Sequence, residues 1–321
     1  MNTIVVTGCA GFIGSHVCEY FIGLDYKVIG IDNFNSFYSK EIKEQNVKAL
    51  LLSPHFTLLA LDICDKKTWQ IVKQYGSISG IIHLAAEAGV LPSIANPSSY
   101  IHTNIVGTQV LLDFMKEECI QKLIFASSSS VYGNNEDTPF SEKDTVDKPI
   151  SPYAFTKKAN ELQIHTWHHL YKIDVVCLRF FTVFGPRQRP DLAIRKFVTK
   201  IQNNEPIEMY GDGTTARDYT YIEDTVAGIV AAWEYVVTHQ EVYEIINLGN
   251  KTPISLKELI NTIYTILEKE PHIIETPMKA GDVNITYADI SKAEKLLGYS
   301  PQTSLKKGLS EFIHWYKNIN S

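Results

Sequence analysis

A doubly wound α/β fold, with a parallel sheet covered by helices on both faces, is predicted by three observations. Short β-branched runs alternate with helical stretches through the first half of the chain. A glycine-rich turn follows the first run, and polar or small residues stand at the ends of successive runs. A smaller mixed α/β lobe completes the expected architecture.

Ile4-Val5-Val6 reads as a buried parallel strand, followed by Thr7-Gly8-Cys9-Ala10-Gly11-Phe12-Ile13-Gly14 and an apolar-periodic helix from Phe12 to Ile22. Gly8 permits a tight turn. Gly11 lets the backbone approach a pyrophosphate where Phe12 and Ile13 open the helix, and Gly14 lets helix and strand pack closely. The second strand, Lys27–Ile31, ends in Asp32. An acid at that place, roughly 20 residues beyond the glycines, accepts both ribose hydroxyls of adenosine and repels a 2′-phosphate. The expected cofactor is therefore NAD rather than NADP.

Further strands are expected at Phe56–Leu61, ending in Asp62, then at Gly80–Leu84, Lys122–Ala126 and Asp174–Phe180. Ligands of such sheets bind beyond the C-terminal strand ends. Gly8, Asp32, Asp62, Leu84-Ala85-Ala86, Ser127–Ser130 and Phe180-Phe181-Thr182 stand there. In the next helix Ser151 is the expected N-cap and Pro152 the first helical residue, so Tyr153 and Lys157 project from one face. A lysine beside a phenol stabilises the phenolate and suits it to general-base work. Taken alone, Tyr-x-x-x-Lys is more often a half-buried tyrosine beside a surface lysine; the glycine turn and Asp32 reverse that weighting.

From Gly185 the alternation loosens. Gly185-Pro186-Arg187-Gln188-Arg189-Pro190-Asp191 is loop chemistry, and the chain is expected to return to the sheet near Asp218–Ile222 and Tyr243–Leu248. The division expected is a cofactor-binding domain over 1–183 with returns near 218–248, and a discontinuous substrate lobe mainly over 184–321. An amphipathic helix is expected over Ser304–Lys317.

At 321 residues, 45% apolar and 21% charged, the chain is an ordinary globular protein with no run apolar enough to span a bilayer. Met1 lacks signal-peptide flanks, and five cysteines without metal spacing read as small buried hydrophobes in a reducing cytoplasm. The ten histidines show no ligand spacing, so no metal is expected. A net charge of −6 offers nothing to nucleic acid and requires an anionic substrate to find a local cationic pocket. Stretches from about Ser99 to Glu117 and Pro152 to Tyr171 carry apolar residues on more than one face, the pattern of a homodimer.

Thr7-Gly8-x-x-Gly11-Phe12-Ile13-Gly14, the serine run with Val131-Tyr132-Gly133, Tyr153-x-x-x-Lys157 and Arg217-Asp218-Tyr219 together resemble the extended short-chain dehydrogenase/reductases acting on nucleotide sugars. The likeness runs from Ile4 to Leu297-Gly298-Tyr299-x-Pro301. More narrowly, His83-Leu84-Ala85-Ala86-Glu87-Ala88-Gly89-Val90, Ser127–Ser130, Thr156-Lys157-Lys158-Ala159-Asn160-Glu161 and Arg179–Pro186 continuing to Asp191 resemble the UDP-glucuronate 4-epimerases.

That resemblance implies Tyr153 as the base at the sugar 4-hydroxyl, Lys157 as its electrostatic partner and ligand of the nicotinamide ribose, and Ser128 as the hydroxyl sharing O4. Ser129 and Ser130 remain alternatives facing the sugar. It implies Asn33, Asn35, Asp62, Ile63, Leu84, Ala85, Ala86, Asn104, Ser127 and Phe181 on the cofactor, with Asp62-Ile63 over adenine and Phe181 by the nicotinamide. On the UDP-sugar side it implies Val90, Thr182, Arg217, Tyr210, Tyr219 and Asp282. Thr182 stands where many relatives carry Asn. Either Arg187 or Arg189 reads a sugar carboxylate, Arg189 being the first choice. Relatives that dehydrate or decarboxylate carry acids just after the catalytic hydroxyl; Ser129 and Ser130 here point to epimerisation. The alternatives are a 4-epimerase of neutral UDP-hexoses or UDP-N-acetylhexosamines, and a catalytically silent NAD-binding scaffold.

Overall fold

Runs such as Ile4-Val5-Val6 are too apolar for a half-exposed strand and must be covered on both faces. The computed structural model, which describes residues 1–277 and 285–319, does this with helices on either side of one sheet. Its first part comprises β1 (Thr3–Thr7), α1 (Phe12–Gly23), β2 (Lys27–Ile31), α2 (Lys40–Val47), β3 (Phe56–Leu59), α3 (Lys66–Lys73) and β4 (Gly80–His83). There follow α4 (Val90–Ala95), α5 (Pro97–Tyr100), a π-helical turn (Ile101–Val106), α6 (Gly107–Glu117), β5 (Lys122–Ser128), α7 (Pro152–Tyr171) and β6 (Asp174–Phe180). The second part comprises β7 (Thr182–Phe184), α8 (Ala193–Gln202), β8 (Ile207–Tyr210), β9 (Ala216–Tyr221), α9 (Ile222–Thr238), β10 (Tyr243–Leu248) and β11 (Pro253–Ser255). It ends with α10 (Leu256–Leu267), β12 (Ile273–Thr276), β13 (Ile285–Thr286), α11 (Ser291–Leu297) and α12 (Leu305–Ile319).

Seven strands pair in the order β10-β6-β5-β4-β1-β2-β3, every neighbour parallel. Side chains alternate across the sheet, so Ile4 and Val6 join one core with Val17 and Phe21 of α1 and Trp233 of α9. Val5 joins the other, with Trp69 of α3, Leu111 and Met115 of α6 and Ile164 of α7. The strand order reverses between β1 and β4, and a doubly wound sheet opens a crevice at such a place.

One of the two expected returns to this sheet is different. β10 enters it beside β6, whereas β9 pairs with β7, β11 and β13 in a separate sheet. The reason lies in Asp218: its buried carboxylate accepts from the amides of Asn250, Lys251 and Ala288, which ties β9 to the loops of the smaller sheet. β8 and β12 form a further parallel pair. Cys9, Cys18 and Cys177 are buried as expected, but Cys64 is partly exposed and Cys119 exposed, each lying in a loop.

Candidate active site

The crevice is a cavity of about 670 Å³ running from Asp32 past the glycine turn to Arg189 and Arg217. At its first end Gly8, in the left-handed region at φ 71°, would place a Cβ 2.9 Å from the Ala85 amide nitrogen. A Cβ on Gly14 would come within 2.0 Å of the Gly8 carbonyl oxygen. Only glycine allows α1 to start this close to β1. α1 opens at Gly11 with no side-chain cap and no acid in its first turn, while Gly11, Phe12, Ile13 and Gly14 line the cavity. Orphan amides at a helix N-terminus favour an anion.

Asp32, at the end of β2, also lines the cavity; its carboxylate accepts from Ala10 N at 3.2 Å and Phe34 N at 2.8 Å. The uncapped helix start, the cradle that a Cβ would fill and this acid at the end of the neighbouring strand, all lining one cavity, together fit a dinucleotide. Asn33, Asn35 and Ile63 line the same end, and Leu84, Ala85, Ala86, Ser127 and Phe181 the stretch between. The Ala85 turn is fixed from below, because Thr7 Oγ1 accepts from the amides of Leu84 and Ala85 and pairs with His83 Nδ1 at 2.7 Å. Burial, with Lys157 nearby, pushes the His83 imidazole down to about 3, so it is neutral here.

α7 delivers the chemical groups. Ser151 caps it by accepting from Ala154 N at 3.1 Å, worth ~1 kcal/mol, and Pro152 sits in its first turn. Tyr153 and Lys157 both reach the cavity, which Ser128, at the end of β5, also lines. Burial pushes the Tyr153 phenol up, and the nearby Ser128 hydroxyl and the Arg189 charge pull it back. Lys157 donates to the Ala126 carbonyl at 2.6 Å. Burial lowers its ammonium to about 7, against the opposing influence of Cys177 and Glu161. Ser129 and Ser130 line the cavity too, and Ser130 donates to Ser128 Oγ at 2.9 Å.

Arg189 and Arg187 separate cleanly. Arg189 lines the cavity, lies over the Phe37 ring at 5.1 Å and pairs with Asp191 through two bonds of 2.9 and 2.8 Å. Burial weighs against its charge, but Asp191 and the phenols of Tyr153 and Tyr38 hold the proton more firmly than usual. Arg187 turns away at φ 66° and donates to Glu19 of α1 at 2.6 Å, outside the cavity lining.

Val90, Thr182 and Arg217 line the cavity; Asp62, Asn104, Tyr210 and Tyr219 do not. Asn104 sits buried in the π-helical turn, its carboxamide spent on the Glu87 backbone and Thr156 Oγ1, and Thr103 takes the lining position. Asp62 is drawn to Asn33 and the Cys64 amide. Tyr219 is buried in β9 edge-on to Phe184, and Tyr210 ends β8 with its hydroxyl on Glu208. Asp282 lies outside the described residues. Lining residues that the motifs did not signal include Phe37, Tyr38 and Lys43, whose ammonium donates to Asn35 at 2.8 Å beside Asp32. Glu87, which also lines the cavity, was visible only as part of the His83–Val90 motif. Among the described residues no cluster of ligating side chains could hold a metal ion.

The profile of the GDP-mannose 4,6 dehydratase family matches residues 5–312. The chain belongs to this family. Within it, a UDP-glucuronate 4-epimerase of Thermodesulfobacterium geofontis is 42% identical over 99% of this chain and 97% of its own. The structure of UDP-glucuronic acid 4-epimerase from Bacillus cereus, solved with UDP-glucuronic acid and NAD, superposes with a TM-score of 0.92 at 37% identity, covering 99% of both chains. A UDP-N-acetylglucosamine 4-epimerase from Methanobrevibacter ruminantium, in complex with UDP-N-acetylmuramic acid, superposes at 0.89 with 31% identity over 99% of both chains. The parallel-sheet fold expected from the motifs is the fold of the family.

Proposed function

We propose that this chain is an NAD-dependent UDP-glucuronate 4-epimerase, interconverting UDP-glucuronate and UDP-galacturonate through a transient 4-keto sugar. The observation that carries this reading is the meeting of Ser128, Tyr153, Lys157 and Arg189 in one cavity with the glycine cradle. The T. geofontis and B. cereus likenesses support the choice of substrate. Bound in the cradle, NAD supplies reversible two-electron oxidation of the sugar carbon. Tyr153 accepts the proton of the 4-hydroxyl and returns it to the same oxygen once the opposite face has been presented. Lys157 favours the phenolate, and Ser128 shares the oxygen and fixes its distance. Arg189 binds the sugar carboxylate and Arg217 the diphosphate, local cations in a chain whose net charge repels both.

Residues 1–183 form the cofactor half in this reading, with β10 returning to it, and 184–321 supply most of the sugar-nucleotide contacts. The enzyme works as a cytoplasmic homodimer. Ile101, Phe155, Leu162 and Leu170 leave apolar side chains exposed along the π-helical turn and α7, a face suited to the same face of a second copy. Among the described residues no helix is long and apolar enough to cross a membrane.

The test is to incubate the purified protein with UDP-glucuronate, without added NAD, and resolve the products. Formation of UDP-galacturonate supports the reading; an unchanged substrate with NAD present in the protein refutes it. A second reading, a 4-epimerase of UDP-N-acetylhexosamines, draws on the M. ruminantium likeness. It predicts turnover of UDP-N-acetylglucosamine that does not depend on Arg189.

A further inference from the structure

Directly behind the cavity lies a buried ion pair that the reaction chemistry does not use. Glu161 stands one helical turn beyond Lys157 on α7, and Arg179 is registered opposite Ser127 on the adjoining strands β6 and β5. Arg179 donates through Nε to one Glu161 oxygen and through Nη2 to the other, both at 2.9 Å. The first of those oxygens also accepts from Ser127 Oγ at 2.6 Å. Both side chains are about 1% exposed. The Arg179 guanidinium lies 4.9 Å over the Tyr132 ring, and Tyr132 in turn donates to Asn247 of β10.

One carboxylate therefore fastens three elements: α7 with Tyr153 and Lys157, the end of β5 with Ser128, and β6 leading to Phe181. A buried pair of this kind is a poor source of net stability, since desolvation offsets its attraction. Its bidentate geometry is better suited to fixing position. We propose that Glu161 and Arg179 are positioning residues that set the register of Tyr153 and Lys157 against Ser128. Glu161 also places a negative charge one turn from the Lys157 ammonium. The groups facing this locus are Arg179 and Cys177 on β6, Ser127 and the Ala126 carbonyl on β5, His83 on β4, Lys158 on α7 and Tyr243 on β10. Burial lowers the Lys157 ammonium, whereas Glu161 raises it. Removing the Glu161 charge lets Lys157 lose its proton at lower pH.

The inference rests on the epimerase reading, and turnover of UDP-glucuronate by the parent enzyme is the control for that reading. Glu161→Gln is expected to lower kcat at least tenfold with KM within about twofold, and to move the alkaline limb of the pH–rate profile to lower pH. NAD content, measured after denaturation, should stay at the parent level. Arg179→Lys keeps the charge but not the fork; it should lower kcat and leave the alkaline limb in place. If Glu161→Gln does not fold, the Glu161→Gln/Arg179→Met pair removes both buried charges together and is expected to show the same loss of kcat and the same limb shift. A folded Glu161→Gln or double variant with parental kcat and pH profile overturns the proposal, provided the parent turns over. Loss of melting temperature with parental kcat would likewise mark the pair as purely structural.

Discussion

Arg189→Ala tests the substrate assignment most directly, and its magnitude follows from three contacts. The guanidinium makes two bonds to Asp191, lies over Phe37 and comes within 3.5 Å of the Ala88 carbonyl. Its removal deletes a charge-assisted bond to the sugar carboxylate, ~1.5–3 kcal/mol, or about 10- to 150-fold in KM. It also uncovers Asp191, whose carboxyl burial alone would push up and which Arg189 keeps low. Asp191 is more than a third exposed, so screening holds its repulsion of a second carboxylate to about 1 kcal/mol. The sum is ~2.5–4 kcal/mol, about 70- to 900-fold. Arg189→Ala/Asp191→Asn should recover the part that repulsion contributes. The Arg189–Asp191 pair lies at the cavity rim, so its loss should change stability by about 1 kcal/mol or less.

Initial rates with UDP-glucuronate, UDP-glucose and UDP-N-acetylglucosamine, read by chromatography, give the comparison. Neutral sugars should change little, while UDP-glucuronate loses affinity and releases some 4-keto pentose. That by-product is expected because the 4-keto uronate is a β-keto acid, and in the proposed reading Arg189 holds its carboxylate out of alignment with the carbonyl. Equal KM changes for charged and neutral sugars, with no by-product, would refute the reasoning.

Tyr153→Phe should keep the fold and the NAD while losing about 10²- to 10⁴-fold in kcat; near-parental turnover would remove Tyr153 as the base. Lys157→Met should abolish turnover yet raise the melting temperature of the nucleotide-free protein near neutral pH. Its folded value, about 7, lies below the unfolded one, so the unfolded chain binds the extra proton above pH 7 and the parent gains stability as pH rises through that window. Melts between pH 7 and 9.5 should show this rise in the parent and its absence in the variant. Gly14→Ala, which drives a Cβ to 2.0 Å from the Gly8 oxygen, should purify with little NAD or fail to fold; parental NAD content would contradict the cradle. Leu162→Glu, at the centre of the exposed apolar face, should yield monomers by light scattering, and an unchanged mass would place any dimer contact elsewhere.

The parts of the fold that were legible in the sequence are those governed by one local rule. β1, β2, β4, β5 and β6 are apolar runs covered on both faces, and α7 announces its start through Ser151 and Pro152. β9 was misplaced because its alternation resembles a sheet strand, while the buried Asp218 that decides its partners takes its bonds from loops 32 to 70 residues away. Arg187 and Arg189 look equivalent in a loop; only the backbone turn at Arg187 and its partner Glu19 tell them apart. Lys43 carried no signal, because its place beside Asn35 depends on how α2 packs beyond β2. Asn104 misled for a related reason. The π-helical turn shifts the helical phase, so that Thr103 rather than Asn104 meets the cavity.

The position of β10 has a consequence for how the chain can be cut. It pairs along six residues of β6, from Tyr243 opposite Val175 to Leu248 opposite Phe180, and the Val242 amide closes on Asp174. A fragment ending near residue 183 would keep every glycine and acid of the nucleotide cradle. It would also lay bare one whole edge of β6, a row of unpaired amides and carbonyls flanked by Val175, Cys177 and Phe180. Such an edge recruits strands from other copies. The half of the sequence that looks most self-sufficient by its motifs is therefore the half that should aggregate when isolated, and the last strand to join the seven-stranded sheet is the one that covers its open edge.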